Sequence, residues 1–233
     1  MSAALRWLPQ GTVYGALLNF RREWDLWAPQ MTEAPYKAAP QAPVLYIKTA
    51  NTFAPCGAAI AVPDEVDVGA TLGLVIGGFE EKLPPALAES AQAATKKEAG
   101  GLHRIAGCVL LNDLTLPHAS YYRPPIKFRN RDGFLGCGPV LQAVPDLSTL
   151  ALELRINGTL AQRIELPTLV RDAATLLRDV SEFTTLQAGD VLMLGTDCLP
   201  DGTRPRVKAG DRIEISAPGF APLVHTLIEE KTT

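Results

Sequence analysis

The sequence predicts an α+β protein that is mainly β, with few helices, and three observations lead to this class. Many short apolar runs are bounded by glycine, proline or asparagine, which is typical of strands joined by turns. The 233 residues include 19 glycines and 19 prolines. Strands and helices do not alternate regularly, so a Rossmann or TIM-barrel architecture is disfavoured.

The first half of the chain contains four expected strands and one expected helix. We predict strands at residues 12–18, 43–48, 71–76 and 102–111, because each is an apolar run beside a glycine or proline. Residues 20–42 hold Trp24, Trp27 and Tyr36 among several prolines, which predicts an irregular, lid-like segment. Residues 84–98 begin with prolines and are rich in alanine, glutamate and lysine, which predicts a short exposed helix.

The second half begins with a predicted β-hairpin. Its strands lie at residues 150–156 and 159–164, and Asn157–Gly158 forms the turn between them. Pro167 is expected to open a helix, because apolar residues recur from there at helical spacing as far as Phe183. Two Ala-Gly-Asp turns, at 188–190 and 209–211, each lead into a strand, and a last strand covers about 223–228.

No linker divides the chain, so we expect a single domain over residues 1–233. In this interpretation, residues 11–42 supply the N-terminal strand and the lid-like segment, and residues 43–229 form the core.

Composition excludes several classes of function. The net charge is −3 and the pI is near 5.7, so the chain has no electrostatic footprint for nucleic acid or an anionic membrane. Its four cysteines lie far apart without CxxC spacing, which disfavours a zinc site or a disulfide framework and fits a cytoplasmic protein. No apolar run approaches the roughly 20 residues that a membrane helix needs.

Residues 107–139 hold most of the candidate site residues. An apolar run ends at Asn112–Asp113, and the following loop concentrates tyrosines and charges, namely Tyr121, Tyr122, Arg123, Lys127, Arg129, Arg131 and Asp132. A carboxylate beside several cations suits an anionic ligand, because the arginine fork matches carboxylate geometry. Two simpler interpretations stay open. Asp113 alone is more typical of a turn-capping residue, and the cations suit a solvated surface or an ion pair with Asp132.

Two further features are candidates for ligand binding. Gly195–Thr196 follows an apolar run, and the hydroxyl and backbone N–H of such a turn can hold a carboxylate oxygen. His118 lies in the loop near Asp113 and can titrate near neutral pH. The histidines form no metal-binding spacing, and no serine lies in a nucleophile elbow.

An ordered set of motifs across residues 11–229 resembles the fumarylacetoacetate hydrolase superfamily. The motifs are PVLYIK at 43–48, LGLVIG at 72–77, IAG at 105–107 leading to ND at 112–113, RDGF at 131–134, SEF at 181–183, AGD at 188–190 and GT at 195–196. GTVY at 11–14, APYKA at 34–38 and YRP at 122–124 are most similar to one branch. This branch is the isomerase/decarboxylase of 4-hydroxyphenylacetate (homoprotocatechuate) degradation, specifically its N-terminal half or subunit.

The resemblance implies a flattened, barrel-like β-fold, usually dimeric, and a Mg²⁺ or Mn²⁺ ion that holds a 2-oxo acid. It implies catalytic roles for Asp113, Lys127 and Arg129, with Asp113 as a metal ligand. Tyr122, Arg123, Gly195 and Thr196 are the implied substrate-binding residues. The implied substrates are 2-hydroxyhepta-2,4-diene-1,7-dioate and 5-carboxymethyl-2-oxo-hex-3-ene-1,7-dioate, in a pathway of aromatic catabolism.

The chain departs from the superfamily pattern at the metal site. Gly69 and Thr71 stand where the pattern has a Glu-x-Glu pair, so Asp113 remains as a single matching carboxylate. Asp67 would share a strand face with them, by the period of two. Arg129 replaces the catalytic lysine and cannot readily act as a base. We therefore expect weak or absent metal binding.

These departures leave two alternatives open. The first is a non-catalytic subunit that partners a metal-competent homologue in a hetero-oligomer; a homodimer is the simpler assembly. The second is a fumarylacetoacetate- or acylpyruvate-type hydrolase, which requires a water-activating base. Residues 19–27 contain no histidine to match the lid histidine of the hydrolase members.

Overall fold

The computed structural model describes residues 7–77, 105–118 and 125–231, and these residues form two β-sheets with three α-helices. The predicted class, mainly β with few helices, is confirmed. The helix expected at residues 84–98 lies outside the described residues. Among the described residues, no helix is long and apolar enough to cross a membrane.

The larger sheet has eight strands among the described residues, which are β1 (Val13–Leu17), β2 (Val44–Lys48), β3 (Phe53–Pro55), β5 (Val66–Ile76), β6 (Ile105–Thr115), β7 (Leu135–Cys137), β10 (Val191–Met193) and β11 (Arg206–Val207). Their order across the sheet is β2-β1-β10-β5-β6-β7-β3, with β11 paired to β5. The smaller sheet contains β4 (Ala59–Val62), β8 (Ala151–Ile156), β9 (Thr159–Glu165), β12 (Arg212–Ser216) and β13 (Leu223–Glu229). Their order is β4-β13-β12-β8-β9.

Strands β5 and β6 form the centre of the larger sheet and are buried on both faces. On one face, leucines such as Leu72 and Leu110 pack in a core cluster with Leu152 and Ile213 of the smaller sheet. Each such side chain contributes roughly 1.5–3 kcal/mol by leaving water. On the other face, Leu111 belongs to a second cluster with residues of β1 and β10. Because side chains alternate along a strand, the residues of β5 and β6 that share this second face can build a site.

Two turns predicted from the sequence are confirmed. Asn157 and Gly158 have φ angles of 51° and 83°, as a two-residue hairpin turn requires, and Ile156 pairs with Thr159. In the first Ala-Gly-Asp turn, the Asp190 carboxylate accepts hydrogen bonds from the backbone N–H of Gln187 (2.8 Å) and of Thr12 (2.7 Å). Asp190 therefore fixes the start of β10 against β1.

The prediction of an irregular segment at residues 20–42 is wrong in its first part. A helix, α1, covers Arg21–Met31. Trp24, Trp27 and Met31 recur at helical spacing and pack on the second core cluster, but Pro29 in the last turn and the prolines that follow it indicated an irregular segment.

The other two α-helices are α2 (Ile126–Arg129) and α3 (Ala173–Ser181). The predicted start of the latter at Pro167 is wrong, because Pro167 lies in a separate 3₁₀ turn, Leu166–Thr168. Asp172 caps α3 instead, accepting a hydrogen bond of 2.7 Å from the N–H of Thr175.

The predicted end of the buried strand at residue 111 is also wrong. Strand β6 continues through Asn112 and Asp113 to Thr115, and Asp113 pairs with Gly69 of β5. The strand predicted at residues 71–76 likewise begins five residues earlier, at Val66. Asp113 is therefore a buried strand residue rather than a turn cap, and its side chain shares a sheet face with Gly69 and Thr71.

Candidate functional site

The centre of the site is the carboxylate of Asp113, which three side chains contact. Arg129 Nη1 donates a hydrogen bond of 2.9 Å to Oδ2, and the hydroxyl of Tyr46 donates to the same oxygen. Lys48 Nζ lies 2.8 Å from Oδ1 in an ion pair. All four side chains are buried. We call Tyr46, Lys48, Asp113 and Arg129 the Asp113 cluster.

Strand β2 supplies two members of the cluster because its side chains alternate. Tyr46 and Lys48 lie two residues apart and point to the same face. Gly15, opposite Tyr46 on β1, makes room for the phenol, since a Cβ at this position would overlap the Tyr46 ring. Strands β1, β10 and β5 lie between β2 and β6 in the sheet, and the curl of the sheet brings the side chains of β2 to Asp113 on β6. Lys48 Nζ also donates hydrogen bonds to the carbonyl oxygens of Leu114 (3.1 Å) and Arg129 (2.6 Å).

Helix α2 supplies Arg129, which is held on two sides. Its guanidinium carbon lies 4.3 Å from the centroid of the Tyr46 ring, within the range of a cation–π contact. Its Nη1 is bonded to Asp113, whereas Nε and Nη2 are buried and have no hydrogen-bond partner among the described residues. The guanidinium therefore has donors to offer to a ligand.

The charges in the cluster stabilise one another. Burial alone would raise the pKa of Asp113, but the adjacent Lys48 and Arg129 hold it below its ordinary value. Burial and the Asp113 charge raise the pKa of Tyr46 well above its ordinary value, so the phenol keeps its proton. Burial lowers the pKa of Lys48, against the pull of Asp113. Three acceptors surround Lys48 Nζ and match the three N–H bonds of an ammonium group.

The residues present do not fit a magnesium or manganese ion. Among residues 7–77, 105–118 and 125–231, no group of three histidine, cysteine, aspartate or glutamate side chains could hold a metal. Gly69 and Thr71 offer no carboxylate, and both oxygens of Asp113 already face cations. Such ions need several oxygen ligands and prefer carboxylates. Asp67 does not replace them, because its carboxylate accepts a hydrogen bond of 2.9 Å from Arg206 Nε.

The turn at Gly195–Thr196 borders the same face. Gly195 has a φ of 108°, a conformation that favours glycine. The side-chain Nδ2 of Asn19 donates a hydrogen bond of 2.8 Å to the carbonyl oxygen of the preceding residue, Leu194. Thr196 is buried beside β5, and its Cγ2 would lie 2.5 Å from a Cβ placed on Gly69. The threonine methyl therefore occupies space that a glutamate at position 69 would need.

Helix α1 is tied to the loop that follows this turn. Glu23 of α1 accepts a hydrogen bond of 2.7 Å from Arg204, and both side chains are almost fully buried. Arg22 donates to the carbonyl of Cys198 (2.7 Å) and lies 3.3 Å from Asp197. Burial raises the pKa of Asp197, and the Arg22 charge opposes this shift. These bonds fix α1 in place beside the site.

The structure brings together some of the sequence-predicted residues. Asp113 and Arg129 are in contact, and Thr196 packs against Gly69 on the same face. Lys127 is exposed on α2, and Arg131 pairs with Glu230 at 2.7 Å. Tyr121, Tyr122 and Arg123 lie outside the described residues.

Sequence reasoning missed four residues of the site, which are Glu23, Tyr46, Lys48 and Arg204. One signal was available for two of them, because a tyrosine and a lysine two residues apart on an apolar strand must share a face. Glu23 and Arg204 gave no local signal, since they meet across 181 residues of sequence.

Comparison with known proteins identifies the family. The family model described as fumarylacetoacetate (FAA) hydrolase, C-terminal, matches residues 12–228. The chain belongs to the fumarylacetoacetate hydrolase family. It is 36% identical over 225 residues to the 4-hydroxyphenylacetate degradation bifunctional isomerase/decarboxylase of Escherichia coli. That match covers 95% of this chain and 48% of the relative, so the chain spans about half the length of the first curated relatives it matches.

Solved structures of this family have the same fold. The 5-carboxymethyl-2-hydroxymuconate delta-isomerase of Mycobacterium smegmatis matches with a TM-score of 0.71 and 23% identity, over 97% of this chain and 79% of that one. The maleylpyruvate hydrolase of Sphingobium sp. SYK-6, in complex with manganese(II) and pyruvate, matches with a TM-score of 0.65 and 18% identity, over 96% and 72%. At these identities the likeness supports the fold.

Proposed function

We propose that this chain is a subunit of a 2-hydroxyhepta-2,4-diene-1,7-dioate isomerase / 5-carboxymethyl-2-oxo-hex-3-ene-1,7-dioate decarboxylase in the cytoplasmic catabolism of aromatic compounds. The observation that carries the proposal is the 36% identity over 95% of the chain to the bifunctional isomerase/decarboxylase. The site agrees with substrates of this class, because a buried guanidinium with unused donors suits a 2-oxo acid that carries several carboxylates.

Each residue of the site has a role in this proposal. Arg129 binds a carboxylate of the substrate, and Thr196 with the N–H groups of its turn binds another carboxylate oxygen. Tyr122, Arg123 and Lys127 remain proposed contacts to the outer carboxylates. Asp113 orients the guanidinium of Arg129 and, together with burial, keeps Tyr46 protonated. Lys48 pairs with Asp113 and donates a hydrogen bond to the backbone carbonyl of Arg129. We do not assign Arg129 the role of a base, because a guanidinium keeps its proton at any ordinary pH.

A second candidate is a non-catalytic subunit that completes a hetero-oligomer with a metal-competent homologue. The Asp113 cluster favours this candidate, because Lys48 and Arg129 form ion pairs with the two oxygens of Asp113, the residue that matches a metal ligand of the family pattern. The half-length match to a bifunctional relative agrees with such a partner. A hydrolase function has less support, because residues 19–27 contain no histidine and Glu23, the buried carboxylate of α1, is held in an ion pair with Arg204.

Decarboxylation by mixed chains tests the proposal. We expect this chain alone to be about 100-fold or more slower than a mixture with a homologue that retains Glu-x-Glu, because a metal supplies several kcal/mol of transition-state stabilisation. The measurement is the loss of 5-carboxymethyl-2-oxo-hex-3-ene-1,7-dioate by absorbance, for each chain alone and for the mixture.

Three outcomes of that assay bear on the two candidates. A mixture that exceeds the sum of the two single chains supports the subunit proposal. Full activity of this chain alone would exclude the non-catalytic role. A mixture equal to the homologue alone, with no complex by size-exclusion chromatography, would contradict both candidates.

A further inference from the structure

The guanidinium of Arg129 is a buried charged group with two unpaired nitrogens among the described residues. Its side chain is 1% exposed, yet Nε and Nη2 have no hydrogen-bond partner among those residues. A buried donor without an acceptor costs about 1–3 kcal/mol, and more when it belongs to a charged group. An arrangement of this kind is stable when an acceptor fills the position.

The positions of these two nitrogens define what that acceptor should be. Nε–H and the N–H of Nη2 on the same side point in parallel from one edge of the planar guanidinium. These two groups can donate one hydrogen bond to each oxygen of a carboxylate. Asp113 is bonded to Nη1, so the donors of the bidentate edge, Nε and Nη2, have no hydrogen-bond partner among the described residues. Asp113 and the Tyr46 ring orient the guanidinium without using this edge.

The net charge of the cluster also favours an anionic ligand. The contacts of Lys48 Nζ with Asp113 Oδ1 and two carbonyl oxygens favour its ammonium form against the effect of burial. With Lys48 as an ammonium group and Tyr46 neutral, the cluster has two cations and one anion and carries a net positive charge. Neighbouring carboxylates do not offset it, because Asp67 is paired with Arg206 and Glu23 with Arg204. A net positive charge in a buried site favours an anion, since opposite charges attract more strongly where water is excluded.

A second buried donor lies on the same face. The hydroxyl of Thr71 is buried and has no hydrogen-bond partner among the described residues. Thr71 follows Gly69 by two residues on β5, so both face the side of the sheet that carries Asp113. The site therefore combines two buried guanidinium donors and a buried hydroxyl that have no hydrogen-bond partner among the described residues, and Thr71 stands at one of the two positions where the family pattern has a glutamate.

We propose that the Asp113 cluster is a metal-free carboxylate-binding subsite, in which the Nε–Nη2 edge of Arg129 binds the carboxylate of a 2-oxo acid in place of a divalent cation. The identity of the ligand as a 2-oxo acid rests on the proposed function. The carboxylate chemistry rests on the geometry of Arg129.

Binding of pyruvate in the presence of EDTA tests the subsite, because pyruvate is the simplest 2-oxo acid and the chelator removes divalent ions. We expect isothermal titration of the intact chain to show binding that EDTA does not change. Arg129→Gln should weaken it at least tenfold, and Arg129→Lys should weaken it less, because lysine keeps the charge but loses the fork. Arg155→Gln is the matched control, since Arg155 is a half-exposed arginine of the β8–β9 hairpin.

Four results would overturn the subsite: no pyruvate binding, binding that requires added Mn²⁺, equal binding by the Arg129→Gln variant, or tighter binding of inorganic phosphate than of pyruvate. If Arg129→Gln fails to fold, as judged by its melting temperature, the Arg129→Lys and Thr71→Val variants decide the question in the same assay. If this chain binds pyruvate but adds no activity in the decarboxylation assay of mixed chains, the result would contradict the proposed function but not the carboxylate-binding subsite. Activity in the mixture without binding by this chain would contradict the subsite alone.

Discussion

Replacing Asp113 with asparagine is expected to lower the free energy of unfolding by about 3–5 kcal/mol. The substitution preserves the shape of the side chain but leaves Lys48 and Arg129 as buried charges without their counter-charge. Removing one partner of a buried ion pair is more costly than removing both, because an isolated charge must remain out of water. Denaturation with urea, monitored by tryptophan fluorescence, measures the change.

Two further variants make this result specific. Asp67→Asn removes a carboxylate from an ion pair whose arginine is half-exposed, so we expect a loss of at most about 1 kcal/mol. Adding Lys48→Met to Asp113→Asn should recover part of the loss, since it removes one of the two uncompensated charges. An Asp113→Asn variant within about 1 kcal/mol of the natural chain would show that the cluster is not held by its charges.

The double substitution Gly69→Glu/Thr71→Glu is expected to create a Mn²⁺ site that the natural chain lacks. Gly69 pairs directly with Asp113, and Thr71 lies two residues further on the same face, so three carboxylates would converge. We expect affinity for Mn²⁺ to rise about 100-fold or more, as seen in electron paramagnetic resonance titrations. Thr196 must rotate to admit the new side chain at position 69.

The single variants Gly69→Glu and Thr71→Glu are the controls, and each should bind Mn²⁺ far more weakly than the pair, because two carboxylates are a poor ligand set. Adding Asp113→Asn to the pair should abolish the gain. A well-folded double variant without any gain would mean that Lys48 and Arg129 hold Asp113 too firmly for a metal to compete.

Local patterns in the sequence predicted much of the fold. The Asn157–Gly158 hairpin and the two Ala-Gly-Asp turns could be identified because turn geometry depends on a few adjacent residues. The length of β6 could not be identified in this way, because Asn112 and Asp113 look like strand breakers unless their buried partners are known. Tertiary contacts overrode local propensity at these two positions.

The site could be predicted only in part, because some of its residues are far apart in the sequence. The family resemblance predicted Gly69 and Thr71 in place of two glutamates and Arg129 in place of a lysine, and the structure places Gly69 opposite Asp113 and Arg129 in contact with it. The contact of Tyr46 with Asp113 could not, because 67 residues separate them and their strands are not neighbours in the sheet. That contact arises from the curl of the sheet, which no short motif encodes.

A Mn²⁺ titration of the natural chain, followed by electron paramagnetic resonance, asks whether Lys48 and Arg129, which face both oxygens of Asp113, exclude a divalent cation from this carboxylate. We expect added Mn²⁺ to keep the signal of the free ion through the micromolar range. Stoichiometric binding at micromolar Mn²⁺, lost in the Asp113→Asn variant, would contradict this expectation.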